Sequence, residues 1–242
     1  MKFLRLVCKQ NLGLPVFTLV VASAICCAMI VCRVIIGCEV RHAYLVWNLF
    51  LAWLPLMFAL FAVERFSETN NPRDRKFLAL GIAWLLFFPN APYIFTDLVH
   101  VLANGRPTFW TELMLILLAA MTGFLAGFLS LQVMHAFVTR RWGRIVGWMF
   151  VMIVCGLAGF GVYLGRFTRL NSWDVLWNPV RLVHRTGVGA WNLATQWQHT
   201  KFLILFSLFL LLGYAMLYAL SKQVSAGDDV RRLHPDSDGR KG

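Results

Sequence analysis

What most constrains this chain is its run of long apolar stretches. A helix needs ~20 mostly apolar residues to cross the ~30 Å hydrocarbon core of a bilayer. Five stretches meet that length without interruption: Leu14–Gly37, Ala43–Val63, Trp110–Phe137, Ile145–Gly165 and Phe202–Leu220. A sixth, Phe77–Thr96, is long enough but is interrupted by Pro89, Asn90 and Pro92. In lipid every backbone N–H and C=O must find its partner internally, so helices or a closed barrel are the only spanning structures. A barrel would read as ten-residue segments of alternating polarity, which these unbroken runs are not. The expected fold is therefore all-α, a polytopic helical transmembrane bundle of about six spans, with its third span broken by Pro and Asn.

Residues 1–220 read as a single membrane domain with an outer loop at 166–201, and residues 221–242 as a polar cytoplasmic tail without fixed structure. Composition supports this. The chain is 59% hydrophobic and only 14% charged, against roughly 25% charged in a soluble domain. Its net charge of +12 comes from a scarcity of acids, 11 against 23 Lys and Arg. A chain this apolar cannot cover a water-facing surface, which excludes the soluble enzyme, the secreted disulfide scaffold and the disordered tail.

Positive residues accumulate on the cytoplasmic side of membrane proteins. With the N-terminus inside, fifteen Lys and Arg lie in cytoplasmic segments and seven in outer ones, with Arg33 inside the first span. Both termini are thus expected in the cytoplasm. Ala22-Ser23-Ala24 and Ile35-Ile36-Gly37-Cys38 resemble processing sites. The apolar run passes well beyond the first, and Arg33 interrupts any signal core ending at the second, so the first helix reads as uncleaved. The six cysteines show no metal or redox spacing and read as packing residues. The basic clusters Arg73-Asp74-Arg75-Lys76 and Arg140-Arg141-Arg144 suit anionic lipid. They are too short, and too poor in interleaved aromatics, for nucleic acid.

No phosphate-cradling loop, zinc-protease helix or nucleophile elbow is present. Gly123 with Gly127 and Gly161 with Gly165 form G-x-x-x-G pairs, which predict close approach of the fourth and fifth spans. Two polar segments stand out. In Phe88–His100, the prolines remove backbone donors part-way through the bilayer, Asn90 needs a partner there, and Asp97 and His100 follow at i, i+3. In Gly165–Pro179, Arg166 and Arg169 share a face, Ser172 can cap a helix with Asp174 in its first turn, and Asn178-Pro179 marks another helix start. The topology brings both segments to the outer side.

The runs W-L-L-F-F-P-N-A-P-Y-I-F-T-D-L-V-H (Trp84–His100) and Y-L-G-R-F-T-R-L-N-S-W-D (Tyr163–Asp174) resemble the bacterial family known as domain of unknown function 1361. The resemblance covers the chain between about Val40 and Leu220. It implies a multi-pass bacterial membrane protein, in the inner membrane given the charge bias, and it supplies no mechanism.

The expected site is therefore an extracytoplasmic polar mouth for an anionic headgroup or small ligand. The candidates for catalysis are Asp97 and His100, as an acid–base pair or as metal ligands. In the second role they would need Glu112, Asp174 or His184 beside them, and no metal site is assigned. The ligand-binding candidates are Asn90, Tyr93, Arg166, Arg169, Asn171 and Asp174. The arginines suit a phosphate, or an ion pair with Asp97 or Asp174. Arg33 is expected to snorkel to the interface, and His135 to be satisfied by water or backbone. Enzyme action on a lipid-linked substrate is one version of this reading. The alternatives are a small transporter or channel gated at the broken third helix, and a non-catalytic partner of another membrane protein. The partners expected are the bilayer, an anionic lipid headgroup or another membrane protein, with no nucleic acid. No cofactor is assigned.

Overall fold

The computed structural model describes residues 2–10, 12–37, 43–99, 109–168 and 179–233. Helices α1 (Lys2–Lys9), α2 (Gly13–Gly37) and α3 (Tyr44–Thr69) come first. The third span is composite: α4 (Arg75–Phe87), the four-residue α5 (Asn90–Tyr93) and a 3-10 turn (Ile94–Asp97). Then come α6 (Phe109–Trp142) and α7 (Arg144–Tyr163), the latter widening into a π turn (Leu164–Thr168). The last two are α8 (Pro179–Thr195), which begins at the expected proline, and α9 (Trp197–Leu233). No strand occurs among the described residues. Six segments are long and apolar enough to cross a membrane, so the all-α bundle with a broken third span is the architecture. Helices α1 and α8 are not among the six.

Local chemistry sets the turns. Asn70 closes α3 in the left-handed region at φ 46°, and its N–H donates to the Phe66 carbonyl. Asp74 starts α4 by accepting from the Phe77 N–H at 3.1 Å. The same carboxylate takes Arg65 at 2.9 and 3.3 Å, and that guanidinium holds the Asp74 carboxyl below its ordinary range. Gly143, at φ 91°, makes the sharp reversal between α6 and α7 that a side chain would resist.

Helix α6 is the most buried span and α9 the least. The core falls into two apolar clusters. One, around Trp84, Phe88, Phe124, Phe128, Leu129 and Tyr214, fills the middle of the bundle. The other, around Ile30, Leu45, Leu49, Ile94, Leu115 and Ile116, lies under the end where α3 and α6 begin. That end also holds Asp97, and is called the Asp97 end below. The opposite one is the Asp74 end.

The interruption in the third span is gentle. Phe88 and Pro89 keep right-handed helical torsions, so the chain loosens without leaving its axis. Pro89 and Pro92 lack N–H groups, and neighbours repair the ladder. The Ala91 N–H donates to Phe88 O at 3.1 Å, and the Asn90 side-chain amide donates to Phe87 O at 3.1 Å.

The glycines serve this segment. Helices α6 and α7 do pack against each other. However, a Cβ at Gly127 would lie 2.6 Å from Ala91 Cβ, and one at Gly123 2.9 Å from the Ala91 carbonyl oxygen. A Cβ at Gly161 would lie 2.6 Å from Pro89 Cγ. The bare backbones thus form a slot for residues 89–94. The fourth and fifth spans do approach each other as expected, but the tight contacts of Gly123, Gly127 and Gly161 are with the third span rather than between α6 and α7.

Two expectations are corrected. His135 is buried in a box of Trp148, Tyr214 and Tyr218 rings, and its Nδ1 lies 2.7 Å from the Tyr214 hydroxyl. A side-chain partner from α9 therefore stands where water or backbone was expected. Cysteines 26 and 155 are buried and pack as expected, but Cys8 and Cys32 are exposed and Cys38 lies outside the described residues.

Candidate functional site

Four elements bring polar side chains together at the Asp97 end. The 3-10 turn Ile94–Asp97 carries Asp97 and tucks it inward, leaving it 4% exposed. Beneath it, Thr96 donates its hydroxyl to Tyr93 O at 2.7 Å, which tightens the turn. Asn48, one turn into α3, points its amide at Asp97 Oδ2 at 3.5 Å, the outer limit of a hydrogen bond. Arg166 enters from the π turn and places Nη1 3.6 Å from Asp97 Oδ1. The Tyr93 hydroxyl lies within hydrogen-bonding reach of the same guanidinium.

The π turn matters to that placement. Its extra residue per turn rotates the chain where α7 ends, a device common at functional sites. Thr168 Oγ1 donates to Leu164 O at 2.6 Å, and Arg185 of α8 donates to Thr168 O at 2.8 Å. On the other side, the buried Tyr163 hydroxyl lies 2.8 Å from His199 Nδ1 and 3.4 Å from Gly189 O. The turn that presents Arg166 is thus braced from both α8 and α9.

A second pair lies at the same end. Arg33, near the end of α2, places Nη2 3.9 Å from Glu112 Oε1 in the first turn of α6. Glu112 is buried, and the Arg33 side chain is 18% exposed. Arg33 Nη1 is buried and has no hydrogen-bond partner among the described residues. Snorkelling is therefore corrected: the guanidinium turns toward a buried carboxylate, because an acid one helix away offers more than the interface does.

Helix α8 is amphipathic in an unusual sense. Its exposed face carries Val180, Val183 and Trp191, while Gly189 is buried and Arg185 and Asn192 are half-buried on the opposite face. The polar side thus serves the π turn and the apolar side faces outward.

Of the sequence candidates, Asp97, Tyr93 and Arg166 come together. Asn90 sits one turn below, half-buried, with its amide on Phe87 O. His100, Arg169, Asn171 and Asp174 lie outside the described residues. His184 is exposed. Among the described residues no three His, Cys, Asp or Glu side chains form a group able to hold a metal ion. Asn48 and Arg33 were missed as site residues, and Glu112 was expected at this mouth but as a companion of Asp97 and His100, not as the partner of Arg33. A lone Asn near a helix start carries no pattern, whereas an Arg and a Glu inside or beside apolar spans are a signal that pairing could have used.

No curated protein and no solved structure matches the chain. A family model does, over residues 47–217, a stretch containing Asn48, the broken third span, the glycine slot and Arg166. The chain belongs to that family, described as "Protein of unknown function (DUF1361)".

Proposed function

We propose that this multi-pass membrane protein uses the Asp97 end as an extracytoplasmic site for an anionic headgroup or small anion, in a bacterial inner membrane. The observation that carries the reading is Arg33 Nη1, a guanidinium donor buried without an acceptor among the described residues. Its neighbour Glu112 is 3.9 Å from the other nitrogen, too far for a good hydrogen bond. A buried donor without a partner costs ~1–3 kcal/mol, more when charged. A phosphate or carboxylate oxygen from the adjoining headgroup layer would remove that cost.

Binding fits these contacts better than acid–base chemistry does. The Asp97 carboxylate is engaged by Arg166 and approached by Asn48, so moving a proton through it would break a buried pair. Transport fits less well, because the core beneath Asn90 is filled by Trp84, Phe88, Phe124 and Phe128. A role as a membrane assembly partner has one observation in its favour, the outward apolar face of α8.

The test is thermal unfolding of purified protein in detergent, with phosphatidylglycerol or phosphatidylcholine added. A ligand that binds only the folded state raises its stability by mass action. The wild type is expected to gain stability from phosphatidylglycerol specifically, and Arg33→Gln to gain measurably less. An equal gain in Arg33→Gln, or none in the wild type, overturns the proposal.

A further inference from the structure

A cavity of about 240 Å³ opens at the Asp74 half of the bundle between α2, α6 and α9. Leu19, Leu125, Phe128, Leu129 and Leu217 make its apolar walls. Its lining changes character along the bundle. On α6 it runs from Leu125 to Gln132, and on α9 from Tyr214 to Ser221. Both helices point the same way, toward the Asp74 end, and each stretch covers about 10 Å at 1.5 Å per residue. The polar end is tied across the groove by the Gln132 amide, which donates to Ser221 Oγ at 3.4 Å. Just beyond, the Lys222 ammonium lies 5.3 Å over the Tyr218 ring, and Tyr218 is itself part of the wall.

We infer that this groove holds one acyl chain of an anionic phospholipid, with the lipid phosphate beside Lys222. The groove is formed by three membrane-spanning helices, so its open side meets hydrocarbon, and Thr18 on its rim is exposed. A site that is apolar in depth and ends in an amide, two hydroxyls and a lysine matches a lipid in the order of its parts. The lysine selects an anionic head over a zwitterionic one, since a cation near an anionic lipid surface contributes ~1 kcal/mol. The site shares no residue with the Asp97 end and does not rest on the reading given for it.

Native mass spectrometry of delipidated protein, incubated with phosphatidylglycerol or phosphatidylcholine, tests the inference. Arg33→Gln protein serves as the background, so that lipid at the Asp97 end contributes less. One phosphatidylglycerol is expected to be retained in preference to phosphatidylcholine. Thr18→Trp fills the groove from its exposed rim and Leu217→Trp from the opposite wall. Each is expected to lower retention of both lipids about tenfold, with unchanged helical circular dichroism. Lys222→Gln is expected to lower the preference for phosphatidylglycerol about fivefold, as one lysine near an anionic surface predicts. Undiminished retention in both tryptophan variants, an unchanged preference in Lys222→Gln, or no retention in the background protein overturns the inference.

Discussion

At the scale of single residues, the Asp97 end is governed by the cost of burying charge. A carboxylate that is 4% exposed is costly to keep ionised without partners, and among the described residues Arg166 places a cation 3.6 Å from it. Removing one member of a buried pair costs about 3–5 kcal/mol. The Arg166 side chain is 22% exposed and partly screened, so Arg166→Gln is expected to destabilise the protein by roughly 3 kcal/mol. Adding Asp97→Asn removes the buried carboxylate that Arg166 compensates and should restore part of that loss. Unfolding curves of the two single variants and the double variant measure the coupling; additive losses would show that the pair is not the source of the effect. That Asp97 would meet an arginine was legible in the sequence, because two arginines follow a helix end on the same side. That Asn48 would join them was not, since a single amide inside an apolar run is compatible with any neighbour. Arg33 shows the limit of reasoning by position. Its place near a helix end suggested the interface, but its partner Glu112 is remote in sequence and only packing of α2 on α6 brings them together.

At the scale of elements, the broken third span and the glycines are two halves of one fit. Prolines at 89 and 92 interrupt the backbone ladder there, and Gly123, Gly127 and Gly161 lack the side chains that would collide with this segment. Each half was legible alone, the prolines as a break and the glycines as close-contact positions. Their pairing was not, because a G-x-x-x-G spacing states that something approaches and not what. Gly127→Ala puts a methyl group 2.6 Å from Ala91 Cβ, too close for either to remain in place. Helix propensity alone favours this substitution by about 0.8–1.0 kcal/mol, so the two effects oppose each other. Overpacking of a tight site costs about 1–3 kcal/mol, and the net outcome expected is a loss of stability. Gly156, whose missing side chain would meet nothing within 4 Å, is the control, and Gly156→Ala should stabilise or be neutral. If both alanine variants raise the unfolding midpoint alike, the slot does not constrain the third span.

At the scale of the whole molecule, the two ends differ in how their charge is held, and this bears on orientation. At the Asp74 end Arg73, Arg75, Lys76, Arg140, Arg141 and Arg144 are all exposed, and Arg65 alone among that end's described arginines is bidentate to an acid. At the Asp97 end Arg33 and Arg166 turn inward toward Glu112 and Asp97. A simple count of Lys and Arg therefore understates the asymmetry, because paired arginines present less charge to the lipid surface than free ones. The positive-inside tendency acts on charges near the span ends, and the larger exposed set lies at the Asp74 end, with Lys201 exposed at the other. That end is expected in the cytoplasm and the Asp97 end outside. Two exposed positions decide it: Asn71 in the turn before α4, and Gln196 between α8 and α9. In a background with the native cysteines replaced, Gln196→Cys should react with a membrane-impermeant maleimide on intact cells. Asn71→Cys should react only after the membrane is opened. The reverse pattern would place Arg33 and Arg166 on the cytoplasmic side and end the case for an extracytoplasmic site. The Lys222 groove would then face the outer leaflet, where its preference for an anionic headgroup would have fewer lipids to act on.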